Sequence, residues 1–203
     1  MRRGLALLLI AAALLAAAGG GTAESGTIPS IRESMQTDPQ AAPFFFRNGI
    51  SWNMDMQQVH TLEPEPMTER SSTEWSIMVT TEPVAVSRFT ADLVFMFYQN
   101  QLKMITYEFL SDGSMLNYQY LLGALCSVYG DSVGTDGPTV KSMMDRIYPD
   151  RYRADWIREA HMWTVSDGTH VFLYFFSDNA YAILYTSPEL TVRSSGGYDI
   201  NGL

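Results

Sequence analysis

Acidic residues recur between positions 145 and 159, and two carboxyl groups held close together can supply the acid and the base for hydrolysis of a polymer. The acids that would form such a pair are Asp145, Asp150 and Glu159. Arginines interleave with them, at Arg146, Arg151, Arg153 and Arg158. This interleaving favours a solvated surface of ion pairs over a catalytic pair. A hydrolase of cell-envelope polymers is therefore kept as the alternative function.

Metal-binding patterns are weak in this chain. Its three histidines stand apart, at positions 60, 161 and 170, and no His-Glu-x-x-His pair places two ligands on one helix face. Residues 131–137 resemble a calcium loop, but Val133 and Thr135 stand where an EF-hand needs Asp or Asn, which leaves at most a weak calcium contact there. The sequence predicts a protein that has no metal site, uses no cofactor and is not an enzyme.

Aromatic residues are dense in the two regions with β-strand composition. Alternate residues of a strand face opposite sides, so a sheet with helices on one face would bury one set of rings and present the other. The rings predicted to present a surface to a protein or a glycan are Phe95, Phe97, Tyr107, Tyr174, Tyr181 and Tyr185. Core packing and cross-strand pairing are the competing interpretation for most of these rings.

The first 23 residues have the composition of a secretory signal peptide. Arg2 and Arg3 supply the positive start, an Ala/Leu-rich run follows, and small residues end at Ala23. As a helix, the run of about 15 residues would span roughly 22 Å, short of the roughly 30 Å hydrocarbon core, so cleavage is favoured over a membrane anchor. The sequence predicts a protein that is secreted or associated with the cell envelope, without membrane insertion after cleavage.

The charge of the chain limits its partners. The formal net charge is −9, and removal of the signal peptide with its two arginines takes it to −11. Such an acidic protein repels phosphate backbones and anionic membrane surfaces, so nucleic acid is not an expected partner. The single cysteine, Cys126, forbids an internal disulfide, so stability must come from the core.

Composition along the chain predicts one folded domain. Residues 24–43 are polar, contain three prolines and have no apolar period, so they are expected to be a flexible leader. The domain is expected to span residues 44–193, and residues 194–203 a Gly-rich disordered tail.

Capping and breaking residues delimit the helices of this domain. Asp55 and Gln58 form a capping box for a short helix that ends before Pro64, and a second helix runs from a cap near Ser114 to Gly130. A helical stripe at residues 138–147 and a helical stretch at 149–159 are also expected. Apolar, β-branched runs predict strands at residues 75–81, 84–90, 93–98, 102–110, 162–165, 170–176 and 181–186. The predicted fold class is α+β, an antiparallel sheet built from two helix-plus-β-meander units with helices on one face.

The segment from Phe46 to Asp55, Phe-Arg-Asn-Gly-Ile-Ser-Trp-Asn-Met-Asp, with Val59 and Glu63 beyond it, resembles the opening of uncharacterised exported proteins of Gram-positive gut bacteria. Residues 121–130, which end in Tyr-Gly, resemble the second helix of those proteins. Asn53 stands where they usually have Gly, and Asn is the residue that best tolerates a positive φ in its place. We assign Trp52 a structural role at the junction of helix and sheet.

The order of elements is similar to that of the helix-plus-meander domains of the outer-membrane assembly lipoprotein BamE (SmpA/OmlA) and of the β-lactamase inhibitor proteins. This resemblance implies an architecture and no catalytic residue. The function expected from the sequence is that of an exported, non-enzymatic binding module for a protein or an envelope component. An inhibitor of an enzyme would be a specific case.

Overall fold

The computed structural model describes residues 44–71, 75–109, 114–134, 157–176 and 179–190. Within these ranges, one antiparallel sheet of nine strands is accompanied by a 3-10 turn, Arg47–Gly49, and by two α-helices. Helix α1 is Met56–Leu62 and helix α2 is Met115–Tyr129. The predicted α+β class with an antiparallel sheet is confirmed.

Nine strands follow in chain order: β1 (Met67–Ser71), β2 (Trp75–Thr80), β3 (Val84–Val86), β4 (Phe89–Tyr98), β5 (Gln101–Phe109), β6 (Val133–Gly134), β7 (Ile157–Thr164), β8 (His170–Phe176) and β9 (Tyr181–Thr186). Their order across the sheet is β1-β2-β4-β5-β9-β8-β7-β6, and β3 also pairs with β4. The strands before α2 therefore join those after it where β5 pairs with β9.

Several strands differ from the sequence prediction. Strand β3 ends at Val86 instead of residue 90, β4 begins at Phe89 instead of residue 93, and the two-residue β6 was not expected. Strand β1 was not expected, because Met-Thr-Glu-Arg-Ser has no apolar alternation; it is an exposed strand at one edge of the sheet. Strand β7 begins at Ile157, so the helical stretch expected to reach Glu159 is wrong at its end. The remainder of that stretch and the stripe at 138–147 lie outside the described residues.

Both helices begin and end as their caps predict. The Asp55 carboxylate accepts a hydrogen bond from the Gln58 backbone at 2.8 Å, and Gln58 Oε1 accepts one from the Asp55 backbone at 2.9 Å, so the capping box is confirmed. Ser114 Oγ accepts from the Asn117 backbone at 3.4 Å. Helix α2 stops at Gly130, whose φ of 84° is a conformation that glycine tolerates best.

Apolar side chains pack into two clusters. The first contains Val59 from α1 and Tyr118, Leu121 and Leu125 from α2, together with alternate residues of the strands. The second contains the other alternate set, so that Phe172 and Tyr174 of β8 belong to it while Leu173 belongs to the first. Among the described residues, the strands form this second cluster together with Ala180 and Leu190. Both faces of the sheet are therefore buried, which explains why β8 and β9 are apolar without alternation.

The segment that opens the domain docks on this sheet. Trp52 Nε1 donates a hydrogen bond to Thr169 Oγ1 at 2.7 Å, and its ring stacks on Phe44 with centroids 5.8 Å apart. Asn53 has a φ of 67°, the left-handed conformation expected from its place in the turn. The Asn53 backbone donates to the Leu102 carbonyl at 3.1 Å, and this joins the turn to β5.

Candidate functional site

The aromatic rings expected to form a binding surface lie in the interior of the protein. Each of the six is at most 2% exposed: Phe95, Phe97, Tyr107, Tyr174, Tyr181 and Tyr185. Tyr174 belongs to the second cluster and the other five to the first. The expectation of an exposed aromatic face is wrong, because both faces of the sheet are buried instead of one. These rings contribute packing, the interpretation that had competed with binding.

The carboxylates considered for hydrolysis are not brought together in the described residues. Asp145 and Asp150 lie outside those residues. Glu159 lies on β7, where its carboxylate contacts the His161 imidazole at 2.9 Å. The described part of the chain contains no group of three or more His, Cys, Asp or Glu side chains placed to hold a metal ion. No helix in that part has the length and apolar character needed to cross a membrane.

An exposed apolar surface lies at the N-terminal end of α2. Leu116 is 75% exposed and Tyr120 is 41% exposed, and Met115 beside them is also exposed. We call this surface the α2 patch and define it by five residues: Arg88, Phe89, Met115, Leu116 and Tyr120. Isolated exposed leucines are common on proteins, but a cluster of large apolar side chains marks a contact surface.

The position of the patch follows from the phase of the helix. Tyr118, Leu121 and Leu125 point into the first cluster, and Leu116 and Tyr120 are four residues apart on the opposite side. All 15 residues of α2 are uncharged, so the outward face is not lined with Lys or Glu as the surface helix of a soluble protein usually is.

Arg88 holds the rings of the patch in place. It lies in the turn between β3 and β4, and its guanidinium is 3.9 Å from the Tyr120 ring centroid and 5.0 Å from that of Phe89. Its Nη2 donates to Asn117 Oδ1 at 3.1 Å, and the Phe89 and Tyr120 centroids are 5.6 Å apart. These contacts fix the Arg88 and Tyr120 side chains before any partner binds, which reduces the entropy lost on association.

Unlike the exposed α2 patch, the ion pair of Arg47 and Glu63 is largely closed to solvent. Arg47 Nε lies 3.2 Å from Glu63 Oε2, and the Glu63 side chain is fully buried. Burial raises the pKa of Glu63, an effect that the Arg47 charge opposes. Burial likewise raises the pKa of the Tyr107 hydroxyl, which interacts with Arg47. The group has no access for a ligand, so its role is structural.

The α2 patch was missed by reasoning from the sequence, which predicted an apolar binding surface only on the strands. A signal was present, because residues 115–129 contain no charge in a chain that is 17% charged. The stripe of Tyr118, Leu121 and Leu125 also leaves Leu116 and Tyr120 on the outer side. Arg88 could not have been added from the sequence, since its place depends on how the β3–β4 turn packs against the helix.

Comparisons of the chain with protein-family models, with curated proteins and with solved structures found no match. The resemblance to exported proteins of Gram-positive bacteria and to BamE therefore stays a prediction. The geometry of the described residues is the basis for assigning a function.

Proposed function

We propose that the protein is an exported binding module that contacts a partner protein through the α2 patch. The observation that carries the proposal is the exposure of Leu116 beside the Arg88–Tyr120 stack. Tyr, Arg and Met are enriched at protein interfaces, and binding energy concentrates on a few such side chains that bury well. The predicted signal peptide, with cleavage near Ala23, supports a location outside the cytoplasm.

A protein fits this surface better than an envelope glycan does. Sugars stack on the open faces of aromatic rings, but the Arg88 guanidinium occupies one face of Tyr120. Met115 and Leu116 offer aliphatic groups, which gain from an apolar pocket and give no hydrogen bond to a sugar hydroxyl.

Charge further defines the partner. The chain carries a net charge of −9, or −11 without the predicted signal peptide, and this attracts a protein with a basic surface and raises the rate of encounter. We therefore expect a partner that has an apolar pocket for Leu116 and carries a net positive charge over its wider surface. An inhibitor of a secreted enzyme would be one form of this function.

We also propose that the domain consists of two helix-plus-meander units with their helices on one face. The first unit is α1 with β1 to β5, and the second is α2 with β6 to β9. Two observations support this: β5 and β9, the last strands of the two units, pair with each other, and Val59 of α1 joins the same cluster as Tyr118 of α2.

The experiment compares three forms of the full chain as bait in envelope extract and culture medium of the producing cells: the parent, Leu116→Glu and Ser127→Glu. Ser127 is an exposed residue of the same helix, about three turns beyond Leu116, so its variant carries the same added charge away from the patch. Thermal unfolding of all three baits establishes that they are folded. Proteins retained by each bait are then purified and titrated against it.

We expect a purified partner that binds the parent and Ser127→Glu equally and loses at least tenfold in affinity with Leu116→Glu. Equal binding to all three baits would reject the patch as the contact. Retained material that a glycosidase releases would reject a protein partner in favour of a glycan. A dimer of the chain that Leu116→Glu dissociates would show that the patch serves self-association instead.

A further inference from the structure

Three polar side chains form a hydrogen-bonded row between strand β7 and Ser132, which follows the C-terminal end of α2. Ser132 Oγ lies 2.9 Å from His161 Nδ1, and His161 Nε2 lies 2.9 Å from Glu159 Oε1. None of the three belongs to the α2 patch, and the side chain of α2 whose ring approaches His161 is the buried Tyr118. A serine, an imidazole and a carboxylate in this order are the parts of an activated nucleophile.

The sheet places these side chains. Glu159 and His161 are two residues apart on β7 and so share one side of that strand. Ser132 immediately precedes β6, in which Gly134 pairs with His161. The imidazole also lies between two rings, with centroids 6.4 Å from Tyr118 and 6.4 Å from Trp163. Trp163 Nε1 donates to the Gly130 carbonyl at 2.9 Å, so the chain leading to Ser132 is tied to the same strand.

The direction of the hydrogen bonds follows from the acceptor chemistry of the carboxylate. A carboxylate can only accept, so a neutral imidazole that hydrogen-bonds to it carries its proton on Nε2. In this tautomer Nδ1 has a free lone pair, which accepts the hydrogen bond from the Ser132 hydroxyl. This is the protonation pattern that a general base needs to remove the proton from a serine nucleophile.

We propose that Ser132 is a nucleophile for acyl transfer from carboxylic esters, with His161 as its base and Glu159 as a positioning residue. Ser132 Oγ bonds to the carbonyl carbon while its proton passes to His161 Nδ1. The bond from that carbon to the alcohol oxygen breaks, and the alcohol leaves with the proton. Water then attacks the acyl-serine and gives a proton to Nδ1, and the carboxylic acid departs as Ser132 recovers a proton.

The sequence around Ser132 is Gly130-Asp131-Ser132-Val133-Gly134, which matches the Gly-x-Ser-x-Gly pattern. In α/β-hydrolases this pattern follows a strand and opens a helix. Here it follows α2 and opens β6, and the two ring nitrogens exchange their usual partners. The site is therefore not an α/β-hydrolase elbow, and the three side chains alone carry the proposal.

The surroundings of Ser132 define the class of ester. Val133 is 62% exposed and provides an apolar surface for an acyl chain. Asp131 is exposed next to the serine, and Glu159 adds a second acid to the site. Anionic esters are repelled by these two acids. A neutral or cationic ester with a short aliphatic acyl group is the class that fits.

The test uses a fluorophosphonate probe on the folded full-length protein. Attack by Ser132 forms an Oγ–P bond, breaks the P–F bond and releases fluoride, and His161 takes the serine proton. Peptide mass spectrometry locates the label, and hydrolysis of p-nitrophenyl butyrate is followed in parallel. The variants are Ser132→Ala, His161→Ala, Glu159→Ala and Glu159→Gln. Ser127→Ala is the matched control, since the Ser127 hydroxyl bonds only to its own helix at the Ala124 carbonyl in the described contacts.

We expect one label per chain, on Ser132, and a labelling rate about 100-fold lower in His161→Ala, the lower range of a general-base contribution. Ser127→Ala should react like the parent. Glu159→Gln should keep more activity than Glu159→Ala, because an amide oxygen can still accept from Nε2. Thermal unfolding separates lost reactivity from lost folding. Labelling spread over several serines, labelling unchanged in His161→Ala, or no labelling of the parent above Ser132→Ala would overturn the proposal.

Discussion

Arg47 and Glu63 form a buried ion pair, with Arg47 Nε 3.2 Å from Glu63 Oε2. Arg47 lies in the 3-10 turn that opens the domain, and Glu63 follows the last residue of α1. Both belong to the segment through which the chain resembles exported proteins of Gram-positive bacteria. The pair ties the two ends of that segment together at the surface of the first cluster. The segment is therefore a structural brace of the domain.

A double-mutant cycle on this pair measures how strongly the two charges depend on each other. Arg47→Ala and Glu63→Ala should each lower the free energy of unfolding by about 3 kcal/mol, because each leaves a buried charge without its partner. The double variant should lose at least about 1 kcal/mol less than the sum of the two. Urea unfolding at neutral pH provides the four values. Arg70→Ala, on the exposed strand β1, is the control and should stay within about 0.5 kcal/mol of the parent. Strict additivity would contradict the coupling.

The stability of the protein should depend on the ionisation of Glu63. Burial raises the pKa of Glu63 above its ordinary value of 4.5, and this outweighs the opposing effect of Arg47. At a pH between 4.5 and the raised pKa, Glu63 is protonated in the folded state and ionised in the unfolded state. Ionisation of Glu63 therefore destabilises the fold. Relative to Glu63→Gln, the parent should lose stability as the pH rises above 4.5 and level off above the raised pKa.

Urea unfolding of the parent and of Glu63→Gln across this range gives the difference directly, and the contributions of the other titrating groups cancel. A difference that grows in favour of the parent with rising pH would mean that the attraction to Arg47 exceeds the cost of burial.

The Trp52 indole should contribute through its hydrogen bond as well as its ring. Thr169→Val removes the acceptor at 2.7 Å while keeping the volume, and should lower the free energy of unfolding by about 1–2 kcal/mol. Thr169→Ser keeps the hydroxyl that accepts from Trp52 Nε1, so it is the control for loss of this hydrogen bond. In a Trp52→Phe background, which has no indole N–H, Thr169→Val should have a smaller effect. The same loss in both backgrounds would show that the bond contributes nothing.

Replacing two glycines of the α2 region by alanine should change the stability of the protein in opposite directions. A Cβ at Gly123, in the middle of α2, would meet no atom within 4 Å, so Gly123→Ala should stabilise the protein by about 1 kcal/mol through helix propensity. Gly130 has a φ of 84° and a ψ of −161°, a region nearly confined to glycine. Gly130→Ala should destabilise the protein by about 1–3 kcal/mol. Thermal unfolding of the two variants checks both signs.

Local elements were predictable where short-range contacts decide them. The Asp55–Gln58 box and the Gly130 stop each join residues that are close in sequence, so their hydrogen bonds and dihedral angles follow from residue type. Strand β1 was missed for the opposite reason. Its residues are polar, and the strand exists because β2 provides a partner along its whole length.

The sequence by itself determined the α+β class, the antiparallel strands and the positions of the two helix caps, because propensity, periodicity and capping act over a few residues. The tertiary structure alone decided which side chains reach solvent. It buried Phe95 and Tyr174 on opposite faces of one sheet, left Leu116 exposed, and brought Ser132 to His161 across 29 positions of the chain. Burial on a sheet depends on what packs against each face, and proximity depends on strand pairing between distant segments. Neither is encoded in the spacing of neighbouring residues.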